Sequence, residues 1–219
     1  MLFGERGIEI KSPDQIAKMR VAGLLVGRTL ELIREAVRPG VTTGSLDALA
    51  EDTIRSGGGI PSFLGYGYPP FPATICASVN DEVVHGIPGD RVLHDGDVIS
   101  VDCGAIVDGW HGDAAITVAV GEVEPAVLEL MRISPRSRVW RGFAAARLGG
   151  NVGDISHAIE SYMTSQPHPE SGGSLASCVT TPVAASAPDA SSRQCAQPQS
   201  RARQRVPNSG ADSPWLWSQ

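Results

Sequence analysis

Three features are missing from this sequence, and each absence excludes a class of protein. No run of its 219 residues approaches the roughly 18 consecutive apolar residues that a membrane-spanning helix needs. The first residues include acidic side chains and no apolar segment, so we expect no secretory signal peptide. Positive charge is in deficit, with 18 Lys and Arg against 24 Asp and Glu, which argues against a nucleic-acid-binding surface. We therefore expect a cytoplasmic protein whose partners include neither a membrane nor a nucleic-acid sequence.

Cysteine is scarce as well. There are four cysteines, and no two of them form the C-x-x-C pair typical of zinc and redox sites. Cys76 and Cys103 lie in apolar stretches that look like strands. We expect both to be buried free thiols, as is usual in a reducing compartment.

The last quarter of the chain lacks the residues that build a core. Of the 55 residues in 165–219, only five are Leu, Ile, Val or Phe, whereas 11 are Ser, 7 are Pro and 6 are Gln. Such a segment buries too little apolar surface to offset the entropy lost on ordering. We expect residues 1–164 to form the folded domain and residues 165–219 to be a disordered, low-complexity tail.

The first 164 residues have the periodicities of an α/β protein. Ser12-Pro13-Asp14-Gln15 is a capping box that begins an amphipathic helix ending at Pro39-Gly40. A second helix ends at the glycines of 57–59. After this helix the apolar residues recur at every second position, which is typical of strands. Strands are predicted at 73–79, 98–107 and 110–120, and helices again from Pro125, at 143–148 and at 154–163.

Residues 149–163 resemble residues 40–54, which lie 109 positions earlier. Two glycines and one glutamate are identical in the two stretches, and each stretch follows a helical segment and begins a short helix. Either chance or an internal duplication explains this match. A duplication would place a second β-hairpin after residue 164, where the low-complexity segment stands instead.

The hairpin around Asp108-Gly109 carries the strongest candidate for chemistry. This dipeptide favours a two-residue type I′ turn, which pairs residues whose numbers sum to 217. Asp102 and Asp113 then lie diagonally on one face, about 7–8 Å apart at the backbone. The opposite face is apolar and is expected to enter the core, and its residues are Ile99, Val101, Cys103, Ala105, Val107, Trp110, Ala114, Ile116, Val118 and Val120. Two carboxylates at that distance repel each other unless a divalent cation binds between them. The alternative is an ordinary solvated polar face, and the spacing of His94 and His111 favours neither as a further ligand.

Taken together, these residues resemble a methionine aminopeptidase of the bacterial type. The most specific matches are the motifs VNDEVVHGIP and DGWHGD. The matching stretches fall in the same order as in that family and cover most of residues 8–164. The resemblance implies the α/β "pita-bread" fold, in which two pseudo-symmetric halves surround a metal centre, and this agrees with the suspected duplication.

The resemblance also implies a function and a set of site residues. The family removes the N-terminal methionine from nascent proteins with two divalent ions per site (Co, Mn, Fe or Zn). Asp102 and Asp113 would be metal ligands, and His85 would bind substrate and assist catalysis. Phe63, Tyr66, Tyr68 and Cys76 would line the methionine pocket, where aromatic rings and sulfur suit a thioether. The implied partners are nascent N-termini and the ribosome, and we expect a monomer.

This sequence departs from the family in its second half. The GHGIG-like and EPM-like motifs and the late glutamate, which supply three further metal ligands, do not occur. Since a catalytic metal needs about three protein ligands, we expect weakened metal binding. One interpretation is a methionine aminopeptidase. The other is a non-catalytic half-domain, truncated or altered by a shift of reading frame near residue 165, that at most binds peptides or a partner.

Overall fold

The computed structural model describes residues 11–135 and 140–165. These residues form two compact units, one of residues 11–124 and one of the described residues from 125 onwards. Among the helices of this part of the chain, none combines the length and the apolar character that crossing a membrane requires.

Two long helices begin the first unit, and both were predicted. Helix α1 spans Pro13–Ala36 and starts with the predicted capping box. The Ser12 N–H donates to Gln15 Oε1 at 2.7 Å, and the Gln15 N–H donates to Ser12 Oγ at 3.3 Å. Helix α2 spans Thr43–Ser56. The Thr42 side chain caps it by accepting a hydrogen bond from the Ser45 N–H at 3.1 Å.

The sheet of the first unit is antiparallel and has four strands. They are β1 (Ile60–Pro61), β2 (Ile75–Val79), β3 (Val98–Val107) and β4 (Trp110–Ala119). Strand β3 is central, because β4 pairs along its whole length while β2 and β1 pair with successive parts of its other edge. The predicted turn is confirmed, since Asp108 and Gly109 have φ angles of 50° and 79°.

The core lies on the face of the sheet that α1 and α2 cover. Its fully buried side chains come from both helices and from alternate residues of β3, among them Ile33, Leu46, Ile54, Ile99 and Val101. This alternation is the one predicted for the apolar face of β3.

The prediction for β4 was less accurate. Ile116 and Val118 pack against the core as expected, but Trp110 is only half-buried and Ala114 is exposed. The buried residue at this end of β4 is Gly112, where a Cβ would lie 2.5 Å from the carbonyl carbon of Ala22. Helix α1 thus approaches the strand so closely that no side chain fits between their backbones.

The second unit consists of helices α3 (Pro125–Pro135), α4 (Gly142–Ala145) and α5 (Val152–Ser165). The predicted helix over 143–148 is too long, because the chain leaves the helical conformation at Ala146, which has a ψ angle of 83°. Helix α5 buries Ile155, and a Cβ on Gly142 would meet Ile155 and Ile159 at 3.5 and 3.4 Å. These are ordinary van der Waals distances, so α4 packs against α5 at this position.

Helices α2 and α5 support the internal duplication. Thr43–Ser56 and Val152–Ser165 both have 14 residues, and their first and last residues are 109 positions apart. The glycines that precede them, Gly40 and Gly149, are both left-handed, with φ angles of 88° and 78°. The predicted low-complexity tail lies, from residue 166 onwards, outside the described residues.

Candidate metal and substrate site

The β3–β4 hairpin brings Asp102 and Asp113 together on one face of the sheet. Asp102 pairs with Ala115 and Asp113 pairs with Gly104, so the predicted register is confirmed. The two carboxyl groups are close enough for each to change the pKa of the other. This face is opposite to the one that α1 and α2 cover, because the buried residues of β3 alternate with Asp102.

Burial and mutual repulsion change the protonation of this pair. Burial, the charge of Asp102 and the hydrogen bond with it raise the pKa of Asp113 to about 7. Burial also raises the pKa of Asp102, although the hydrogen bond from Asp113 and the nearby charge of His85 act in the opposite direction. The pair therefore tends to keep one proton near neutral pH, which is typical of carboxylates that bind a shared proton or cation.

His85 lies close enough to influence Asp102 electrostatically. It has a φ angle of 61°, an uncommon conformation for a residue with a side chain. The next residue attaches this loop to β2: the Ala77 N–H donates to the Gly86 carbonyl at 2.8 Å, and the Gly86 N–H donates to Ser78 Oγ at 3.1 Å. A Cβ on Gly86 would lie 2.3 Å from the Ala77 carbonyl oxygen, so only glycine permits this attachment.

Cys76 is directly opposite Asp102 in the β2–β3 register. Cys76 and Cys103 are buried free thiols, as predicted. Burial raises the pKa of the Cys76 thiol to about 12, and the charges of Asp102, Asp113 and Asp47 add to the effect. The thiol therefore stays protonated at neutral pH and offers the site a soft, uncharged sulfur.

Of the three predicted aromatic residues, Phe63 is the one in contact with this face of β3. A Cβ on Gly104, the partner of Asp113, would lie 2.9 Å from Phe63 Cε1 and 2.9 Å from Ser62 Cβ. Tyr66 and Tyr68 instead extend into solvent, with exposed fractions of 77% and 101%. His94 and His111 are also exposed. The sequence gives no sign of these differences, because all these residues lie in loops or at a strand end.

Two buried hydroxyl groups, those of Ser62 and Thr74, were not anticipated. Among the described residues, Ser62 Oγ and Thr74 Oγ1 are the buried side-chain oxygens without a hydrogen-bond partner. The Ser62 N–H donates to the Gly104 carbonyl at 3.0 Å, and Thr74 immediately precedes Ile75, the partner of Cys103. Both residues therefore flank the stretch of β3 that carries the site.

Replacing Thr74 with valine is expected to raise the free energy of unfolding by about 1 kcal/mol, because it removes a buried hydroxyl without a partner and keeps the shape of the side chain. Urea unfolding measures the change. Thr43→Val is the matched control: Thr43 Oγ1 both donates to and accepts from the backbone of Gly89, at 3.1 and 3.0 Å. That variant should lose stability, and a similar loss in Thr74→Val would contradict the assignment.

The site residues are of the type that binds a divalent cation, but there are too few of them for a complete set of ligands. Two adjacent carboxylates with raised pKa values are oxygen ligands of the type that Mn²⁺ and Fe²⁺ accept. Within residues 11–135 and 140–165, however, no group of three or more His, Cys, Asp or Glu side chains has the arrangement of a metal site. The described residues therefore offer two oxygen ligands of the right kind, fewer than the three that a catalytic metal site usually has.

Comparison with known proteins identifies the family. The model of metallopeptidase family M24 matches residues 17–184. The chain is 50% identical over 159 residues to a methionine aminopeptidase of Clostridium acetobutylicum, and 48% identical over 161 residues to methionine aminopeptidase 1 of Mycobacterium tuberculosis. These alignments cover 72% and 73% of this chain.

The fold agrees with the sequence. The crystal structure of methionine aminopeptidase from Rickettsia prowazekii matches with a TM-score of 0.68 and 39% identity, over 72% of this chain and 62% of that one. The predicted pita-bread α/β fold is thereby confirmed. The chain spans 62% and 59% of the lengths of the two curated relatives. On the extent of the match to its family model, this protein belongs to metallopeptidase family M24.

Proposed function

We propose that the β3–β4 hairpin contributes two metal ligands to a site that removes the N-terminal methionine of nascent polypeptides in the cytoplasm. The observation that supports the proposal is the register that places Asp102 and Asp113 side by side on one face of the hairpin, with His85 close by and Cys76 opposite Asp102. The relatives that are 48–50% identical to this chain are named methionine aminopeptidases.

Each residue has a distinct role in this proposal. Asp102 and Asp113 hold the divalent ion, for which they release their shared proton. The ion, when bound, supplies Lewis acidity for the scissile carbonyl. Exposed His85 is available to bind the substrate peptide near the reacting carbonyl. Phe63 and the protonated Cys76 provide an apolar, polarisable contact that suits the methionine side chain.

A second candidate function follows from the number of ligands. Two carboxylates hold a divalent ion weakly, and the described residues include no third ligand in place. On this alternative the chain is a non-catalytic half-domain that binds a divalent ion and peptide N-termini without turnover.

One experiment separates the two functions. The full chain is incubated with a Met-Gly-Met peptide and Co²⁺, Mn²⁺ or Fe²⁺, and free methionine is measured. Turnover that disappears in Asp102→Ala supports methionine removal, because this substitution removes one of the two proposed ligands. Absence of turnover with all three metals overturns catalysis by this chain.

Mn²⁺ titration by calorimetry then decides what remains of the proposal. Binding that is lost in Asp102→Ala and Asp113→Asn, but kept in Asp108→Asn at the hairpin turn, supports the half-domain. If Mn²⁺ affinity is the same in all four proteins, neither function is correct.

A further inference from the structure

The carboxylate of Asp47 connects helix α2 to the strand that carries Cys76. Its Oδ1 atom accepts two hydrogen bonds, from the Thr74 N–H at 2.8 Å and from the Ile75 N–H at 2.9 Å. Ile75 is the first residue of β2, and Thr74 immediately precedes it. Asp47 is the acceptor for both amides, so it caps the start of β2 in the way that a side chain caps a helix.

The position of β2 decides where three candidate site residues lie. Ile75 pairs with Cys103, and this register places Cys76 opposite Asp102. Two residues further along, Ala77 and Ser78 hold Gly86 by hydrogen bonds and so fix the loop of His85. A shift at Thr74 and Ile75 would therefore move the cysteine and the histidine relative to the carboxylate pair.

The helix itself does not require a carboxylate at this position. Ser156 occupies the equivalent place in α5, which has the same length as α2 and lies 109 residues later. Asp47 is half-buried, and this burial raises its pKa although the two amide hydrogen bonds act to lower it. The hydrogen bonds of this half-buried carboxylate go to the start of β2, so its role is better explained by what it holds in place than by helix stability.

We propose that Asp47 is a positioning residue, which aligns β2 with β3 so that Cys76 and His85 face the Asp102–Asp113 pair. It contacts neither substrate nor metal in this role. The inference rests on the proposed function only in taking that pair as the metal-binding group.

The test compares Asp47→Ala, Asp47→Asn and a control in the full chain. In Asp47→Asn the amide oxygen can still accept both N–H groups, because both bonds go to one oxygen atom. The control is Ile54→Val or Ile54→Ala, whichever loses as much stability as Asp47→Ala, since Ile54 is fully buried in the core on the same helix. Calorimetry measures Mn²⁺ affinity, and hydrogen exchange measures the protection of β2 amides.

Because Cys76 pairs with Asp102, a shift of β2 would also displace this ligand. Asp47→Ala is therefore expected to weaken Mn²⁺ binding about tenfold, the lower end of what residues supporting metal ligands contribute. Asp47→Asn should stay within about twofold of the wild type, and the destabilised Ile54 control should bind normally. Unchanged affinity in Asp47→Ala overturns the inference. Equal weakening in Asp47→Asn and Asp47→Ala also overturns it, because charge rather than alignment would then be responsible.

The hydrogen-exchange measurement tests the positioning role even if the protein binds no metal, because it reports directly on the protection of the β2 amides. If the wild-type chain binds no Mn²⁺, the proposed function fails, but the positioning role still predicts faster exchange at residues 76–79 and at Gly86 in Asp47→Ala than in the Ile54 control. Protection lost equally in β2 and in α1 would show a general loss of stability and would overturn the inference.

Discussion

Replacing Gly112 with alanine is expected to lower the free energy of unfolding by about 3 kcal/mol. The added methyl group would lie 2.5 Å from the carbonyl carbon of Ala22, 2.6 Å from the backbone nitrogen of Gly23 and 2.7 Å from the Ala22 carbonyl oxygen. All three contacts are with backbone atoms inside a 24-residue helix, which cannot move aside as a flexible side chain can. Either α1 or β4 must shift. Chemical unfolding measures the loss of stability.

The same substitution should also weaken Mn²⁺ binding, because Gly112 is adjacent to Asp113 on β4. Gly27→Ala provides the control: Gly27 lies in α1, and apart from the adjacent backbone of that helix nothing lies within 4 Å of its Cβ position. Helix propensity predicts that this control gains up to about 1 kcal/mol of stability. Equal stability of Gly112→Ala and the wild type would mean that α1 and β4 are not in close backbone contact.

The second large effect is a loss of stability as pH rises through the titration range of Asp113. The folded protein holds this proton with a pKa of about 7, whereas an aspartate in an unfolded chain releases it near pH 4. The folded state therefore binds more protons than the unfolded state between these values. Proton binding at Asp113 therefore adds to the free energy of unfolding. This contribution is fully present below about pH 4 and is lost as the pH rises to 7 and above.

The expected loss is about 1–2 kcal/mol. Three pKa units would correspond to about 4 kcal/mol, but the Asp113 side chain is partly exposed to solvent, which screens the interaction. Urea unfolding at pH 4.5, 6 and 8, with chelator present, measures it. The control is Asp113→Asn, which cannot titrate at this position, and the difference between the two proteins isolates the contribution of Asp113.

Divalent metal should reverse this effect. Addition of Mn²⁺ at pH 8 is expected to restore stability to the wild-type protein, because a cation replaces the proton between the carboxylates. Asp113→Asn should gain none. A wild-type protein that becomes more stable relative to Asp113→Asn between pH 5 and 8 without metal would contradict the raised pKa.

The local features of the fold could be predicted from the sequence because they depend on neighbouring residues. The capping box, the glycines that follow the helices and the Asp108-Gly109 turn are determined by short-range hydrogen bonds and backbone sterics. The turn also sets the register of β3 and β4, and with it the pairing that places Asp102 beside Asp113. For the same reason, the apolar alternation of β3 correctly predicted which face enters the core.

Long-range contacts could not be predicted in this way. In the sequence, Gly112 looks like an ordinary glycine of a strand, and only the structure shows that α1 packs against it. Asp47 likewise looks like a surface residue of an amphipathic helix, and only the structure shows that it binds the start of β2. Ser62 and Thr74 carry no motif that would indicate buried hydroxyls without partners. The roles of Gly112 and Asp47 depend on residues at least 27 positions away in the chain, and no local pattern of residues indicates such contacts.

The sequence by itself therefore determined the helices, the hairpin and the identity of the carboxylate pair, because a two-residue turn leaves only one way to pair the flanking strands. The tertiary structure decided which neighbours surround that pair: Cys76 and His85 through the placement of β2, Phe63 through its contact above Gly104, and solvent around Tyr66 and Tyr68. The physical reason is that a turn acts over bonded neighbours, whereas the lining of a site depends on which distant backbones can approach each other without a clash.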